Sequence, residues 1–335
     1  MLAPQLRYKD GLWPFSLALS YGMIGYACGL VLLNMPHIAI NILGIVLLAH
    51  AMVICAYLIH ECAHNTIFFV NLHNARLGAC LSWITGSCYA RYEDIRRKHF
   101  RHHVERADVI GFDYRRRLNF YPRLSRFITI LEWAYIPAVE IMLHALVIVL
   151  PFRNEHYKPQ RKRVLSVLVI RAMLFTTLLW LSLRAFLLYP LAYILFLIVL
   201  RFMDANQHSY DLVEMHDDTP SPGSDLRDSE YEYRNTYSNL ISTRIPLLNL
   251  ITLNFAYHNA HHARPTVAWY RLPGLHRELY GDDRSHILSF RALLGAYHKH
   301  RVARAFWPVA KNLNTQTSQS LDLLGIVGIS FLIPV

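Results

Sequence analysis

Three apolar runs in the chain are long enough to cross a lipid bilayer. They cover residues 15–33, 38–59 and 164–203, and the third is long enough for two crossings. A spanning helix needs roughly twenty mostly apolar residues, because the hydrocarbon core of a bilayer is about 30 Å thick. The chain is also 54% hydrophobic, more than is usual for a soluble domain. The sequence therefore predicts an integral membrane protein with spans at about 15–33, 38–59, 165–184 and 186–203.

Two further apolar segments are not predicted to cross. Residues 77–90 are too short, and residues 127–150 contain Glu132 and Glu140, whose carboxylates are costly in lipid. Histidine groups at 60–64, 99–103 and 258–262 can act together only from one side of the membrane, which requires an even number of crossings between them. The prediction is an all-α fold with four transmembrane helices in two hairpins and interfacial helices. A cytosolic helical cap (residues 60–126 and 204–311) completes one domain, 1–335.

The charge distribution predicts which side of the membrane holds the histidines. The formal net charge is +11, and the basic residues concentrate in residues 91–126 and 153–163, beside the apolar runs. Basic loops next to spans favour the cytoplasmic side and anionic headgroups, so nucleic acid is not an expected partner. The expected location is a bacterial inner membrane. The five cysteines form no CxxC pair, which fits a reducing compartment.

Eight histidines fall into three motifs with helical spacing. The motifs are HECAH at 60–64, HFRHH at 99–103 and HNAHH at 258–262. Residues i, i+3 and i+4 lie on one helix face, so each motif is predicted to present its imidazoles together. A ninth histidine, His208, follows the last span, and Asp204 lies one helical turn before it.

These residue types predict a metal centre. Neutral imidazole binds Zn, Cu, Fe and Ni, and nine ligands exceed the needs of one tetrahedral site. Two metal ions with room for an exogenous ligand fit the count. Redox iron is the expected metal, since non-haem iron supports oxygen chemistry.

The motifs HECAHNTIF, KHFRHH and HNAHHARPTVAWYRLP resemble the membrane fatty acid desaturase/hydroxylase superfamily in type, in order and in their relation to the spans. The resemblance extends from about residue 45 to 275. It implies four transmembrane helices under a cytosolic cap that holds two iron ions. It also implies nine ligands: His60, His64, His99, His102, His103, His208, His258, His261 and His262.

Two carboxylates near these motifs have open roles. In some members of the superfamily an asparagine four residues before the ninth histidine holds a metal-bound water, and this chain has Asp204 there. Asp204 is predicted to orient His208 by a hydrogen bond, with metal binding and helix termination as the alternatives. Glu140 either supports an iron ligand or caps an interfacial helix.

The resemblance implies an enzyme that uses O₂ and two electrons to remove hydrogen from a fatty acyl chain. Desaturation is the predicted outcome, with hydroxylation and oxidative decarboxylation to a terminal alkene as alternatives. The ligand set does not distinguish them, because the outcome depends on which carbon is held near the metals. The acyl chain can belong to a free acid, acyl-CoA, acyl-carrier protein or lipid.

No fused electron carrier is visible, since the sequence lacks the HPGG signature of cytochrome b5 and any CxxC pair. A separate donor is therefore expected, such as ferredoxin or cytochrome b5 with its reductase. The basic residues within 96–126 and 301–311 either dock this donor or bind the anionic headgroups of membrane lipids. A non-enzymatic metal protein, such as a zinc transporter or metal sensor, is the alternative from another class. Its transport path would need ionisable residues within the spans, whereas these histidines lie at span ends.

Overall fold

The computed structural model describes residues 5–210, 213–215, 227–306 and 331–334. Within them the chain is largely helical, with two short strands, β1 (Asp108–Ile110) and β2 (Val213–Met215). The α-helices are α1 Leu12–Asn34, α2 Ile38–Ala63, α3 Asn71–Thr85, α4 Tyr92–Glu105, α5 Tyr114–Leu118, α6 Pro122–Trp133, α7 Ala138–Arg153, α8 Arg161–Leu181, α9 Leu183–Asp204, α10 Ser229–Arg234, α11 His258–Ala263, α12 Leu272–Tyr280, α13 Phe290–His300 and α14 Ala303–Phe306.

Four helical segments have the length and apolar composition needed to cross a membrane, as the sequence predicts. They are Lys9–Asn34, Ile38–Ala63, Glu155–Leu181 and Leu183–Asp204. Large apolar side chains project outward from them; Leu17 is 67% and Trp180 is 83% exposed. Exposed apolar side chains suit a helix whose outer face meets lipid. A helix can lie in lipid because its backbone polar groups are hydrogen-bonded within the helix. The chain is therefore an integral membrane protein.

The break between the last two spans lies a few residues before the one predicted between residues 184 and 186. The break lies at Ser182, and Pro190 stands within α9. The hydroxyl of Ser182 accepts a hydrogen bond from the amide of Ala185 at 3.1 Å, as an N-cap residue does. This capping bond starts the new helix earlier than the proline would suggest.

The non-crossing segment 127–150 is divided between two helices. Residues 134–137 separate α6 from α7, and Tyr135 there has a φ of 64°. Neither helix reaches spanning length, because α6 has 12 residues and α7 has 16. The exclusion of this segment from the spans agrees with the structure.

The chain divides into two compact units, of which the first comprises residues 1–94 and 141–200. In it, α1 and α2 are joined by residues 35–37 and approach each other closely at glycines. A Cβ on Gly29 would stand 2.8 Å from the Cβ of Leu48. The buried amide nitrogen of Asn41 lies 3.0, 3.1 and 2.9 Å from the carbonyl oxygens of Leu32, Leu33 and Met35. It therefore satisfies carbonyls that the end of α1 leaves without helical partners.

The second unit comprises residues 95–140 and 201–335. Strands β1 and β2 pair in parallel, a small departure from the all-α prediction. Arg101 supports this pairing, since its guanidinium bonds Glu105 at 2.5 Å and the carbonyl of Met215 at 2.7 Å. The polar segment 214–239 reads as a surface loop in the sequence, yet Glu214 and Thr236 are buried. Residues 216–226, and the predicted end of the cap at 307–311, lie outside the described residues.

A buried ion cluster joins three helices of the second unit. Arg201, near the end of α9, lies 2.5 Å from a carboxylate oxygen of Glu132 on α6 and 3.2 Å from one of Glu140 on α7. All three residues are less than 9% exposed. Glu132 also accepts a hydrogen bond from the amide of Val139 at 3.0 Å. The cluster therefore fixes the start of α7 against the end of α9.

Candidate metal centre

The histidine motifs lie on short helical stretches with different supports. His60 lies in the last turn of α2 and His64 follows that helix; both belong to the first unit, and their ring centroids are 4.8 Å apart. The second motif lies on α4, whose first turn carries Glu93 and Asp94. Acidic side chains there stabilise a helix through its dipole.

The third motif forms the six-residue helix α11, and all three of its histidines are buried. His208 follows α9 and forms an isolated bridge with Thr236. Seven of the nine predicted ligands thus belong to the second unit.

Three histidines of the second unit direct their Nε2 atoms to one point. The Nε2 of His103 lies 3.2 Å from that of His99 and 3.2 Å from that of His261. Two nitrogens that bind one metal ion at about 2.1 Å are separated by about 3 Å at octahedral angles. This spacing therefore fits a metal ion bound by all three.

A second group of four histidines meets nearby. The Nε2 of His208 lies 3.1 Å from that of His102 and 2.7 Å from that of His258. The ligand atoms of these three residues and of His262 all lie within 4.8 Å of one another. The rings of His262 and His103 stack with centroids 4.1 Å apart, so the two groups are neighbours.

The grouping divides each HxxHH motif between the two points. On α4, His99 and His103 belong to the first group and His102 to the second. On α11, His258 and His262 belong to the second group and His261 to the first. The sequence predicts that each motif presents its imidazoles together; the structure separates the i+3 residue from the i, i+4 pair in both motifs.

The opposite nitrogens of three ligands are held by hydrogen bonds. The Nδ1 of His102 donates to the carbonyl oxygen of Ala107 at 2.8 Å. The Nδ1 of His262 lies 2.9 Å from Oε1 of Glu232, and that of His208 lies 3.3 Å from Oγ1 of Thr236. A partner on Nδ1 fixes the tautomer that offers the Nε2 lone pair to a metal. The Nε2 of His262 is buried and makes no hydrogen bond to any described residue.

Burial keeps these imidazoles neutral. Desolvation lowers the pKa of His102 to about 4, and it holds the pKa values of His208 and His262 well below the usual range. A metal ion requires neutral imidazole, so the site is ready to bind at neutral pH. The donor set, its spacing and its protonation all fit the two-metal prediction.

A cavity adjoins the second group. It is open to solvent on one side. Burial shifts the pKa of Lys98 down to about 7 and that of Asp108 up to about 7. The lining residues are Lys98, His99, His102, Asp108, Val109, Asp204, Gln207, His208, Phe255, His258 and Phe331.

The two carboxylates singled out in the sequence lie in different places. Asp204 lines the cavity, and its Oδ1 makes no hydrogen bond to the described residues; Thr236 faces the Nδ1 of His208 instead. Glu140 lies beside Arg201. Glu232 and Thr236 cannot be identified from the sequence, because their segment has no histidine spacing that would mark it.

Glu232 should support metal retention through His262. Its other carboxylate oxygen accepts a hydrogen bond from Nε of Arg106 at 3.1 Å, which fixes the group in place. Glu232→Ala removes the acceptor of the His262 Nδ1–H, so metal affinity should fall roughly 10- to 100-fold. Glu232→Gln retains an oxygen acceptor and should lose less metal affinity than Glu232→Ala. The measurement is iron retained by purified protein against increasing chelator. Exposed Glu230 provides the control, Glu230→Ala; equal chelator resistance in all variants would contradict the role.

Comparison with known families agrees with this centre. The profile of a family described as fatty acid desaturase matches residues 36–293, a range that includes all nine histidines. The comparisons with curated proteins and with solved structures gave no significant match. Because the profile covers most of the chain, the protein belongs to the fatty acid desaturase family.

Proposed function

We propose that the protein is an O₂-dependent di-iron oxidase that desaturates a fatty acyl chain. The observation that carries this proposal is the pair of histidine groups, in which Nε2 atoms from α4 and α11 meet at two neighbouring points. A single structural zinc ion would need four ligands, whereas the second unit alone brings seven imidazoles together.

We assign all nine histidines as ligands. His60 and His64 enter this set through the family match and their motif. Iron is the metal that suits both imidazole donors and oxygen chemistry. When bound, the two iron ions would supply O₂ activation for the removal of hydrogen from an unactivated C–H bond.

The chain itself contributes ligand orientation and substrate position. Ala107, Thr236 and Glu232 hold three ligands through Nδ1. Phe255, Phe331 and Val109 give the cavity beside the histidines an apolar surface suited to hydrocarbon. Desaturation takes two hydrogens from the chain; two electrons and two protons complete the reduction of O₂ to two waters. Hydroxylation would follow if the attacked carbon took up oxygen before a second hydrogen was lost, and oxidative decarboxylation would follow if the carboxylate were lost instead. The outcome depends on which carbon is held near the metals and for how long.

The membrane arrangement is also part of the proposal. We place the four spans in two hairpins, with the histidines and the cap on the cytoplasmic side of a bacterial inner membrane. The basic loops beside the spans support this orientation. A separate carrier such as ferredoxin, or cytochrome b5 with its reductase, would deliver the electrons.

Product analysis tests the proposed reaction. The protein is produced with a reducing system in cells fed fatty acids of several lengths, and lipids and headspace are analysed by mass spectrometry. We expect a new internal double bond that is absent from cells carrying His262→Ala. A hydroxy acid or volatile alkene would replace desaturation with one of its alternatives. A preparation that contains zinc and gives no product would overturn the oxidase assignment.

A further inference from the structure

The cavity beside the second histidine group contains a buried cationic side chain. Lys98 is 2% exposed and stands one helical turn before His102 on α4, so both side chains lie on one face. Asp108 and Asp204 line the same cavity. The metal ligands therefore have a hydrogen-bond donor as a close neighbour.

A segment far away in sequence fills part of this space. Three consecutive residues of this segment, which lies outside the four spans, are buried. They are Phe331, Leu332 and Ile333, with exposed fractions of 6%, 1% and 0%. The ring of Phe331 lines the cavity, with its centroid 5.9 Å from that of His99. The Nζ of Lys98 donates to the carbonyl oxygen of Ile333 at 2.7 Å.

This contact has the chemistry of an acyl group. It combines one carbonyl oxygen, which accepts a hydrogen bond from the buried amino group of Lys98, with apolar side chains packed beside the metal ligands. A fatty acyl substrate offers the same features, namely a carbonyl or carboxylate oxygen at the end of a hydrocarbon chain. A buried amino group without a hydrogen-bond acceptor is costly, so this position favours a ligand that offers an oxygen atom. The Ile333 carbonyl can therefore stand in for a substrate oxygen.

We propose that Lys98 binds the carbonyl end of the acyl substrate, and that residues 331–334 occupy this subsite until the substrate displaces them. The inference rests on the proposed function, and it adds where the polar end of the substrate is held. The carbons closest to the carbonyl then lie closest to His99 and His102. Free acids and esters share the required oxygen, and the test separates them.

Binding by the full-length protein in lipid nanodiscs, without O₂ or an electron donor, tests the subsite. The probes are hexadecanoic acid, its methyl ester and hexadecane. Wild-type protein should bind the acid or the ester more tightly than the hydrocarbon, and the preferred probe identifies the source. Lys98→Met should weaken binding of the preferred probe by about 10- to 100-fold, the effect of a hydrogen bond to a charged group. Exposed Lys299 provides the control, Lys299→Met.

Displacement of the segment is tested by a second variant and by hydrogen exchange. Leu332→Asp cannot be buried without cost, so it should expel residues 331–334 and tighten acyl binding, about 10-fold for a site that is 90% occupied. Leu294→Asp, at an exposed position, is the control. Amide exchange at residues 331–333 of the wild-type protein should rise when the probe is added.

Two results would overturn the inference. If Lys98→Met binds the acid or the ester in preference to hexadecane as strongly as the wild-type protein does, the lysine does not bind the carbonyl end of the substrate. If the amides of residues 331–333 exchange equally slowly with and without bound probe, the segment is a permanent part of the cavity lining and is not displaced. Because binding is measured without turnover, the expected binding pattern with no product would count against the proposed reaction alone.

Discussion

Iron and oxidase activity should both be lost when His262 is replaced by alanine, while the protein stays in the membrane. The Nε2 of His262 is buried among the four histidines of the second group, and its Nδ1 is held by Glu232. Removing a residue that only supports a ligand lowers metal affinity roughly 10- to 100-fold. Removing a ligand itself should lower the affinity by more than this. The measurements are metal content of purified protein, product formation and distribution between membrane and soluble fractions.

The control for this substitution is an exposed histidine outside the motifs. His156 serves, and His156→Ala should retain iron and activity. The four spans contain no part of the second histidine group, so membrane insertion of His262→Ala should equal that of the wild-type protein. Full iron content in His262→Ala would refute the ligand assignment.

Replacing Arg201 with methionine should cause the largest loss of stability. The change leaves Glu132 and Glu140 buried without their guanidinium partner. Breaking a buried ion pair from one side costs roughly 3–5 kcal/mol, because a charge stays in a medium of low polarity. The measurement is the thermal unfolding midpoint of detergent-solubilised protein, which should fall clearly below that of wild type.

Two further variants separate lost charge pairing from a general effect of substitution. Arg126→Met removes an exposed arginine of α6 and should leave the midpoint unchanged within the usual range for surface sites. Adding Glu132→Gln and Glu140→Gln to Arg201→Met removes the unpaired charges. The unfolding midpoint should then recover part of the decrease caused by Arg201→Met. Equal midpoints for Arg201→Met and Arg126→Met would show that the cluster does not stabilise the fold.

The spans and the histidine motifs could be predicted because their signals are local. A span is a continuous apolar run, and a motif such as HxxHH has its spacing within one helical turn. The exact break at Ser182 was less predictable, since a single side-chain hydroxyl starts α9.

The supporting residues could not be predicted, because their contacts join distant parts of the chain. Glu232 reaches His262 across 30 residues, and Ile333 reaches Lys98 across 235. No periodicity in the sequence connects such pairs. Thr236 shows the same limit, since it lies 28 residues after His208 in the chain and its Oγ1 is 3.3 Å from the Nδ1 of that histidine.

The division of each HxxHH motif has a mechanical consequence. Adjacent residues such as His102 and His103 belong to different histidine groups. One peptide bond therefore links the two proposed metal positions on α4, and another links them on α11. A tilt of either helix must move both positions together, so the distance between the two positions should stay nearly constant. The first metal ion to bind would hold both helices in place and thereby arrange more than half of the second ion's proposed ligands, so we expect uptake of the pair to be cooperative.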